Sequence, residues 1–486
     1  MRTAFFLLLS VTFVLSNAQA PKFKTKYLNN ISDSSLQQHV YILASDSLEG
    51  RGTATEGERK AAHYIVEQFK LNGLQPYNDT CFLQNIGLWS WQWHTFTLTD
   101  AHHTFETYQD FVYLSSAPIE PQITAKCVFI GNGSDSIINH IDLDGKIAFA
   151  SIENFKSWYG IASKTKRKGA IAILMVHQSD SNAFNQVSEK FKAIHQQPSI
   201  GTQEPMFSSS MVKAFAVNQS LTEKLFNQPL DSLKHLTSHQ QIKDLPTPKL
   251  TIGCQLKVEL ADANNVVGYL PGKGTNKAAV VISAHYDHIG ERYNGICVGA
   301  DDNASGTAAV IELAKAFAPL KGKLNKDLIF LCTSGEEKGL LGAFYFADHP
   351  QEHSFDIKAN VNIDMIGRID STHKNNYIYT IGNNHYPEFD SLVHVANNMN
   401  VPLKIQYDYN KSQGFGNFLR LSDHYAFHRN NIPVLGFFSG LHNDYHTPDD
   451  TPDKIDYQLM EKRVKLIFTT TYLATQKTAF SSQTDE

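Results

Sequence analysis

Residues 280–306, VVISAHYDHIGERYNGICVGADDNASG, constrain the chain more than any other stretch. The apolar run at 278–282 has the length of a buried strand and ends abruptly in His285, Asp287 and His288. A polar, glycine-containing loop then carries Asp301, Asp302 and Asn303. The small residues Ala304 to Gly306 open a helix with Ala308, Val310, Ile311, Leu313, Ala314 and Phe317 along it. Open α/β sheets collect ligands at the carboxyl ends of their strands, and this stretch reads as strand, loaded loop, helix. Imidazole and carboxylate gathered at such an end suit a divalent metal.

The same pattern recurs downstream. Residues 327–332 form an apolar strand followed by Thr333-Ser334-Gly335-Glu336-Glu337, and a helix begins near Gly339. Residues 359–363 form another, ended by Asp364-Met365-Ile366-Gly367-Arg368. Strands are also predicted at 377–381 and 432–438, and helices at 391–399 and 456–475. The 432–438 strand runs into Leu441-His442-Asn443-Asp444-Tyr445-His446-Thr447-Pro448. The recurrence predicts an α/β fold with a mixed, mainly parallel central sheet and helices on both faces.

Four strand ends therefore carry metal-type ligands: His285 with Asp302, Glu336 with Glu337, Asp364, and His446. One acid at one strand end is an ordinary turn residue. Together they are informative, because the carboxyl ends of parallel strands lie along one edge. Five ligands are too many for a single tetrahedral zinc that keeps a water, and they suit two metals sharing a bridging carboxylate. Three carboxylates and one hydroxide balance the charge of two divalent ions with both histidines neutral. Neighbouring side chains diverge, so one glutamate of the Glu336-Glu337 pair can hold a metal while the other faces the attacking water as a general base. On spacing, Asp301 competes with Asp302 and His442 with His446.

The motifs SAHYDHIG, GADDNASG, SGEEKGLLGA, NIDMIGR and YHTPDDT, in this order, closely resemble the two-zinc exopeptidases of metallopeptidase family 28. The lead-in LASDSLEGRGTATEGERKAAHYI resembles the aminopeptidase branch. The likeness covers about 40–105 and 250–475. It implies a zinc-exopeptidase fold holding two Zn²⁺ per chain. His285 and Asp364 would bind one zinc, Glu337 and His446 the second, and Asp302 would bridge both. Glu336 would be the general base and Asp287 would orient the His285 imidazole. Tyr445 would steady the oxyanion. The resemblance favours Asp302 over Asp301, and Tyr445 beside His446 decides for that histidine. It also implies a cis peptide bond after Asp302. His288, His424 and His428 read as supporting or packing residues, and Ser422-Asp423-His424 as a possible pocket wall.

The rest of the chain sets the context. Its 486 residues exceed one compact core. Residues 1–20 have a positive start, an apolar core and an A-x-A end, the pattern of a cleaved signal peptide, which predicts export to the periplasm or the outside. No stretch is apolar for long enough to span a bilayer. A net charge of −5 without a basic run gives no support to nucleic-acid binding. Five cysteines are too few for a disulfide scaffold.

Residues 21–105 read as the helical N-terminal part of the catalytic domain. Helices are expected before Leu43 and from Glu56 to the Asn72-Gly73 stop, and the tryptophans Trp89, Trp91 and Trp93 as strand packing rather than a ligand platform. Residues 106–245 change character. The pattern VFIGNG…DGKIAFA…KGAIAILM resembles a small β-rich protease-associated domain, here inserted, with 182–245 polar and loop-rich. In relatives such a domain sits beside the catalytic cleft. The main catalytic domain is expected at 246–478, with a flexible tail at 479–486. The reading is an exported zinc aminopeptidase acting on peptides. A carboxypeptidase or dipeptidase on the same scaffold, or a non-catalytic receptor-like module, are the alternatives.

Overall fold

Two sheets divide the chain between them. The computed structural model describes residues 25–480 apart from 79, 180, 207–212, 237, 275–276, 293–294, 353, 374, 400–401 and 411–417. The expected signal segment 1–20 and most of the expected tail lie outside the described residues.

The main sheet has the expected form. Its strands run in the order Gln75–Pro76, Asn264–Leu270, Asp327–Thr333, Ala278–His285, Asp356–Ile363, Val434–Phe438, Tyr377–Ile381 and Lys404–Gln406. The central four, from Asp327–Thr333 to Val434–Phe438, are mutually parallel, and Asn264–Leu270 and Tyr377–Ile381 flank them antiparallel. Every residue of Ala278–His285 and Asp327–Thr333 is buried, so these strands read as unbroken apolar runs rather than as alternation.

Helices cover both faces. On one, Gly306–Phe317 and Tyr457–Gln476 pack on Ala278–His285 and on each other, joined by Asp33–Leu43. On the other, His424–Arg429 packs against Asp356–Ile363 and Val434–Phe438, with Leu341–Asp348 beside it. The lead-in helix Glu56–Leu71 is capped by the Thr55 hydroxyl and buries Ala61, Ala62, Ile65, Val66 and Phe69, spaced for one face. No helix among the described residues is long and apolar enough to cross a membrane.

The second sheet runs Thr104–Phe105, Leu88–Thr99, Lys249–Ala261, Gln122–Phe129, Ile147–Ile152, Ala172–His177, Ala214–Val217, Phe111–Tyr113, with Ser199–Gly201 added on Leu88–Thr99. It has its own cores on its two faces. Two sequence-based boundaries move. The sheet takes in Leu88–Thr99 and Lys249–Ala261, which pair with each other, so it extends past 106–245 at both ends and the main sheet resumes only at Asn264. A regular alternating strand looks the same whichever sheet it joins, and a change in composition does not mark that choice. Nor is 182–245 mainly loop. Ser181–Gln196 is a helix that buries Phe184, Ser188 and His195, and Ala214–Val217 and Gln219–Phe226 follow as strand and helix. Polar residues on the exposed face of that helix hid its periodicity.

Candidate metal centre

The carboxyl ends of the parallel strands converge as their pairing requires, since His285 sits opposite Thr333 and Ser283 opposite Asn362 in register. His285 closes its strand. Its Nδ1 lies 3.1 Å from the main-chain carbonyl of Asp287, to which it can donate, leaving Nε2 for the opposite side. That Nε2 lies 3.4 Å from Asp302 Oδ1 and 3.4 Å from Asp364 Oδ1. The other oxygen of Asp302 faces a different pair. Asp302 Oδ2 is 3.1 Å from His446 Nε2, which is 3.3 Å from Glu337 Oε1. Donor atoms of His285, Glu336 and Asp364 form one group within 4.8 Å of one another, and those of His288, Asp302 and Glu337 form another.

The loop before Gly306 is shaped to aim Asp302. The Asp302–Asn303 peptide bond is cis, as the resemblance implied. The amides of Asp301 and Asp302 donate to the Asp450 carboxylate at 3.0–3.1 Å. Asn303 accepts from Gly306 and Met365 and donates to the Ile363 carbonyl, tying the loop to the next strand. Gly299 has a left-handed φ of 55°, and a Cβ there would lie 2.0 Å from the Asp302 carbonyl oxygen and 2.5 Å from the His288 ring. Only glycine fits that approach.

The competing pair lies behind the cluster. Asp301 accepts from Gly367 at 2.6 Å and from the Ser305 hydroxyl at 3.0 Å, and its second oxygen is 3.4 Å from His442 Nε2. His428 meets the Tyr386 hydroxyl at 2.9 Å and serves packing. His288 is different. It is fully buried, with Nδ1 2.9 Å from Glu337 Oε1, so it stands inside the cluster rather than behind it.

Glu336 and Glu337 diverge at a short turn entered through Gly335, whose φ is 73°. Glu337 faces His288 and His446, and Glu336 faces His285 and Asp364. Asp287 differs from its expected part. Its carboxylate is 3.8 Å from His285 Nδ1, and the imidazole is held by the main-chain carbonyl instead. The carboxylate accepts the Glu336 amide at 3.1 Å and the Thr53 hydroxyl at 2.8 Å, so it braces the glutamate turn. Tyr445 stacks on His446 with ring centroids 3.7 Å apart and leaves 38% of its surface exposed.

The donor set fits zinc. The contacts of 3.1–3.4 Å between nitrogen and oxygen match the roughly 3.3 Å edge expected of a tetrahedron with ligands at about 2.0–2.1 Å. Asp302 Oδ2, Asp364 Oδ1 and His288 Nε2 are buried without a well-formed hydrogen bond among the described residues, which is what atoms reserved for a cation show.

Electrostatics separates the two glutamates. Burial, together with Asp364, Glu337 and Asp423, pushes the Glu336 carboxyl well above the usual range despite His285. Burial also works against the Glu337 charge, but hydrogen bonds with His288 and His446 outweigh it and pull its pKa down. Burial, reinforced by the surrounding carboxylates, raises the Tyr445 phenol, which therefore stays protonated.

Several supporting residues have parts that the sequence did not assign to them. Arg51 is wholly buried and donates to the carbonyls of Tyr286 (2.8 Å), Leu43, Val298 (2.7 Å) and Gly299 (2.9 Å). It ties the lead-in to both ends of the 286–299 loop. Burial lowers its pKa to about 10, so it stays charged. Glu58 accepts from the Ser334 hydroxyl and the Ala54 amide beneath the glutamate turn. Asp423 accepts from the Thr333 hydroxyl at 2.5 Å, and burial pushes it up to about 7. Asp450 lies in the quoted YHTPDDT motif, where the acidic pair beside the histidine was a usable hint.

Two cavities flank the cluster. One of about 210 Å³ lies beside Asp364 and Tyr445, walled by Ile381, Phe418, Leu421 and Phe438. The other, of about 910 Å³, reaches Glu337 and opens between the two sheets' domains.

The profile of peptidase family M28 matches residues 265–471. Aminopeptidase YwaD of Bacillus subtilis is 27% identical over 224 residues, 44% of this chain and 45% of that protein. The uncharacterised protein YfbL of Escherichia coli is 27% identical over 231 residues, 43% of this chain and 70% of that protein. The chain thus spans less than half the length of the curated aminopeptidase it matches. Among solved structures, the aminopeptidase from Aneurinibacillus sp. strain AM-1 covers 95% of this chain and 98% of its own at 19% identity and a TM-score of 0.55. A zinc aminopeptidase from Bacillus subtilis covers 91% and 95% at 20% identity, also with a TM-score of 0.55. At these identities the structural likeness concerns the fold.

Proposed function

Since residues 265–471 match the profile of peptidase family M28, we propose that the chain is an exported, zinc-dependent aminopeptidase that removes residues from the free amino ends of peptides. The observation that carries this reading is the arrangement around Asp302. One carboxylate oxygen faces His285 and Asp364 and the other faces His446 and Glu337, as a bridge between two metals would. Two Zn²⁺ would be held by these five residues, with His288 as a further donor to Glu337. The name of the Bacillus subtilis relative, an aminopeptidase, supports the substrate class.

When bound, zinc supplies Lewis acidity that polarises a peptide carbonyl and eases the deprotonation of water. Glu336 takes the proton from that water as its oxygen attacks the carbonyl carbon. The same carboxyl returns the proton to the leaving amine as the C–N bond breaks. The Tyr445 hydroxyl donates to the developing oxyanion. Asp287 and Thr53 keep the Glu336 backbone in place. The small apolar cavity beside Tyr445 receives the side chain of the amino-terminal residue, which favours apolar residues there.

The test is mass-spectrometric digestion of a mixed peptide set with free or acetylated amino ends, with zinc and with chelator. Stepwise trimming only from free amino ends, abolished by chelator, is expected. Trimming that ignores acetylation but needs a free carboxylate would make the protein a carboxypeptidase. Absence of cleavage with zinc present would sink the enzymatic reading.

A further inference from the structure

We propose that the 910 Å³ cleft between the inserted and catalytic domains binds the leaving part of a peptide, the residues after the scissile bond, with Trp91 as its platform. The inference rests on the exopeptidase reading. The two cavities meet the cluster from opposite partners of Asp302, the small one at Asp364 and the large one at Glu337. If the small apolar cavity takes the first side chain, the chain beyond the scissile bond is directed into the large one.

The large cavity suits an extended chain. Its volume is near the upper end of what binding clefts offer, about 1,000 Å³. One wall is the catalytic domain's short strand Gly290–Arg292 and the other is the inserted domain's helix Ser181–Gln196, through Ala193 and Ile194. Beside that helix runs Ser199–Gly201, which among the described residues pairs only with Leu88–Thr99. Among the described residues no strand pairs with its other edge, the one to which an extended peptide would add.

Trp91 stands on the same wall, half-buried. Gly201, two residues along the paired strand from Trp91's partner Ser199, is what lets the ring lie there, since a Cβ would come 3.0 Å from the indole. Its neighbour Trp93 is explained by packing, at 4.6 Å from Phe96 and 5.7 Å from Tyr113 between ring centroids. Trp91 contributes to no such aromatic cluster among the described residues and instead presents a rigid apolar surface to an open cleft, the usual use of tryptophan at a binding surface.

The experiment uses the full chain with zinc and two substrates sharing a first residue. One is an aminoacyl p-nitroanilide, which has no residue after the scissile bond, and the other is a pentapeptide. Trp91→Ala is expected to lower the ratio of pentapeptide to anilide kcat/KM by roughly two- to tenfold, through KM of the pentapeptide. Ala193→Trp, which narrows the cleft from the helix side without removing a packed ring, is expected to lower the same ratio. An unchanged ratio in both variants overturns the inference while leaving the exopeptidase reading intact. Wild-type protein that cleaves the anilide but not the pentapeptide also overturns it. Failure on both substrates would remove the exopeptidase reading and this inference together.

Discussion

Each domain contains a run of parallel strands, yet among the described residues only one run ends in a cluster that can hold metal. In the main sheet the ends of Ala278–His285, Asp327–Thr333 and Asp356–Ile363 lead to His285, Glu336 with Glu337, and Asp364. In the inserted sheet, Ile147–Ile152, Ala172–His177 and Ala214–Val217 lead to Glu153, His177 with Gln178, and Asn218. Among the described residues both candidate metal groups belong to the main sheet. A parallel edge therefore supplies a location and not a chemistry. The chemistry needs acids gathered at the edge in a buried or half-buried setting, and such acids persist only where donors hold them. Asp302 has the Asp450-bound loop, and Glu336 has Asp287 behind its amide. Asn218 instead uses its side chain to cap the helix that follows.

The largest test of that contrast compares Glu336→Gln with Glu153→Gln. Both acids follow a parallel strand, but Glu153 is exposed and outside any cluster. Glu336→Gln is expected to lower kcat at least about 100-fold, close to 3 kcal/mol or more of barrier, with zinc content unchanged. Glu153→Gln should alter neither. Turnover of an aminoacyl anilide, with metal content by mass spectrometry, checks both. Normal turnover by metalled Glu336→Gln would remove the proposed base.

Next in size is Arg51. Replacing it with methionine keeps the apolar stem but leaves four carbonyls without their donor. The expected loss is about 3 kcal/mol in the catalytic domain, with the inserted domain unaffected. Calorimetry resolving the two domains' transitions reads it. A shift of the inserted domain's transition instead would mean that Arg51 does not act through the loop it touches.

Arg51 also marks where the sequence stopped being legible. The candidate ligands were readable because apolar strands run straight into histidine and acid, and because the carboxyl ends of parallel strands lie along one edge. The parallel core and the helices on both faces followed from the same punctuation. What holds the ligands was not readable. Arg51 bonds main-chain carbonyls more than 230 residues away in sequence, and carbonyls carry no sequence signature. The family resemblance made Asp287 a partner for the His285 ring, yet its carboxylate turns to the glutamate loop. The sheet to which Lys249–Ala261 belongs was hidden for the same reason, since a strand's pairing partner is a long-range fact.

A smaller effect separates the domains by pH. His195 lies in the inserted domain, with Nε2 2.9 Å from the Ser115 carbonyl and Nδ1 3.2 Å from the Tyr108 hydroxyl. Burial lowers its pKa from 6.5 to about 4, with the Ser115 contact working against that shift. The unfolded chain thus takes up the proton before the folded one does. The stability involved is complete above pH 6.5 and is lost as pH falls toward 4, by about 3 kcal/mol at most. Hydrogen exchange at pH 7 and pH 5 should show the helix Ser181–Gln196 loosening before the main sheet. The expected loosening should be absent in His195→Phe. The same acid step should lower the pentapeptide-to-anilide ratio, because that helix walls the large cleft.

The smallest expected effect is also the cleanest check on whether the domains act separately. Asn218 accepts from the Leu221 amide at 2.8 Å and donates to the Gln109 carbonyl and to Asp110 at 2.9 and 3.0 Å. Asn218→Ala removes a helix cap at the carboxyl end of a parallel strand, the place where the other domain gathers its candidate ligands. The cost should be about 1 kcal/mol, confined to the inserted domain's transition. Turnover of the aminoacyl anilide should stay within about twofold, since no ligand, base or loop brace is touched. A larger fall in anilide turnover would show that the inserted domain sets the geometry of the cluster itself and is more than a wall of the cleft. The contrast between the two parallel edges would then be one of division of labour within a single site.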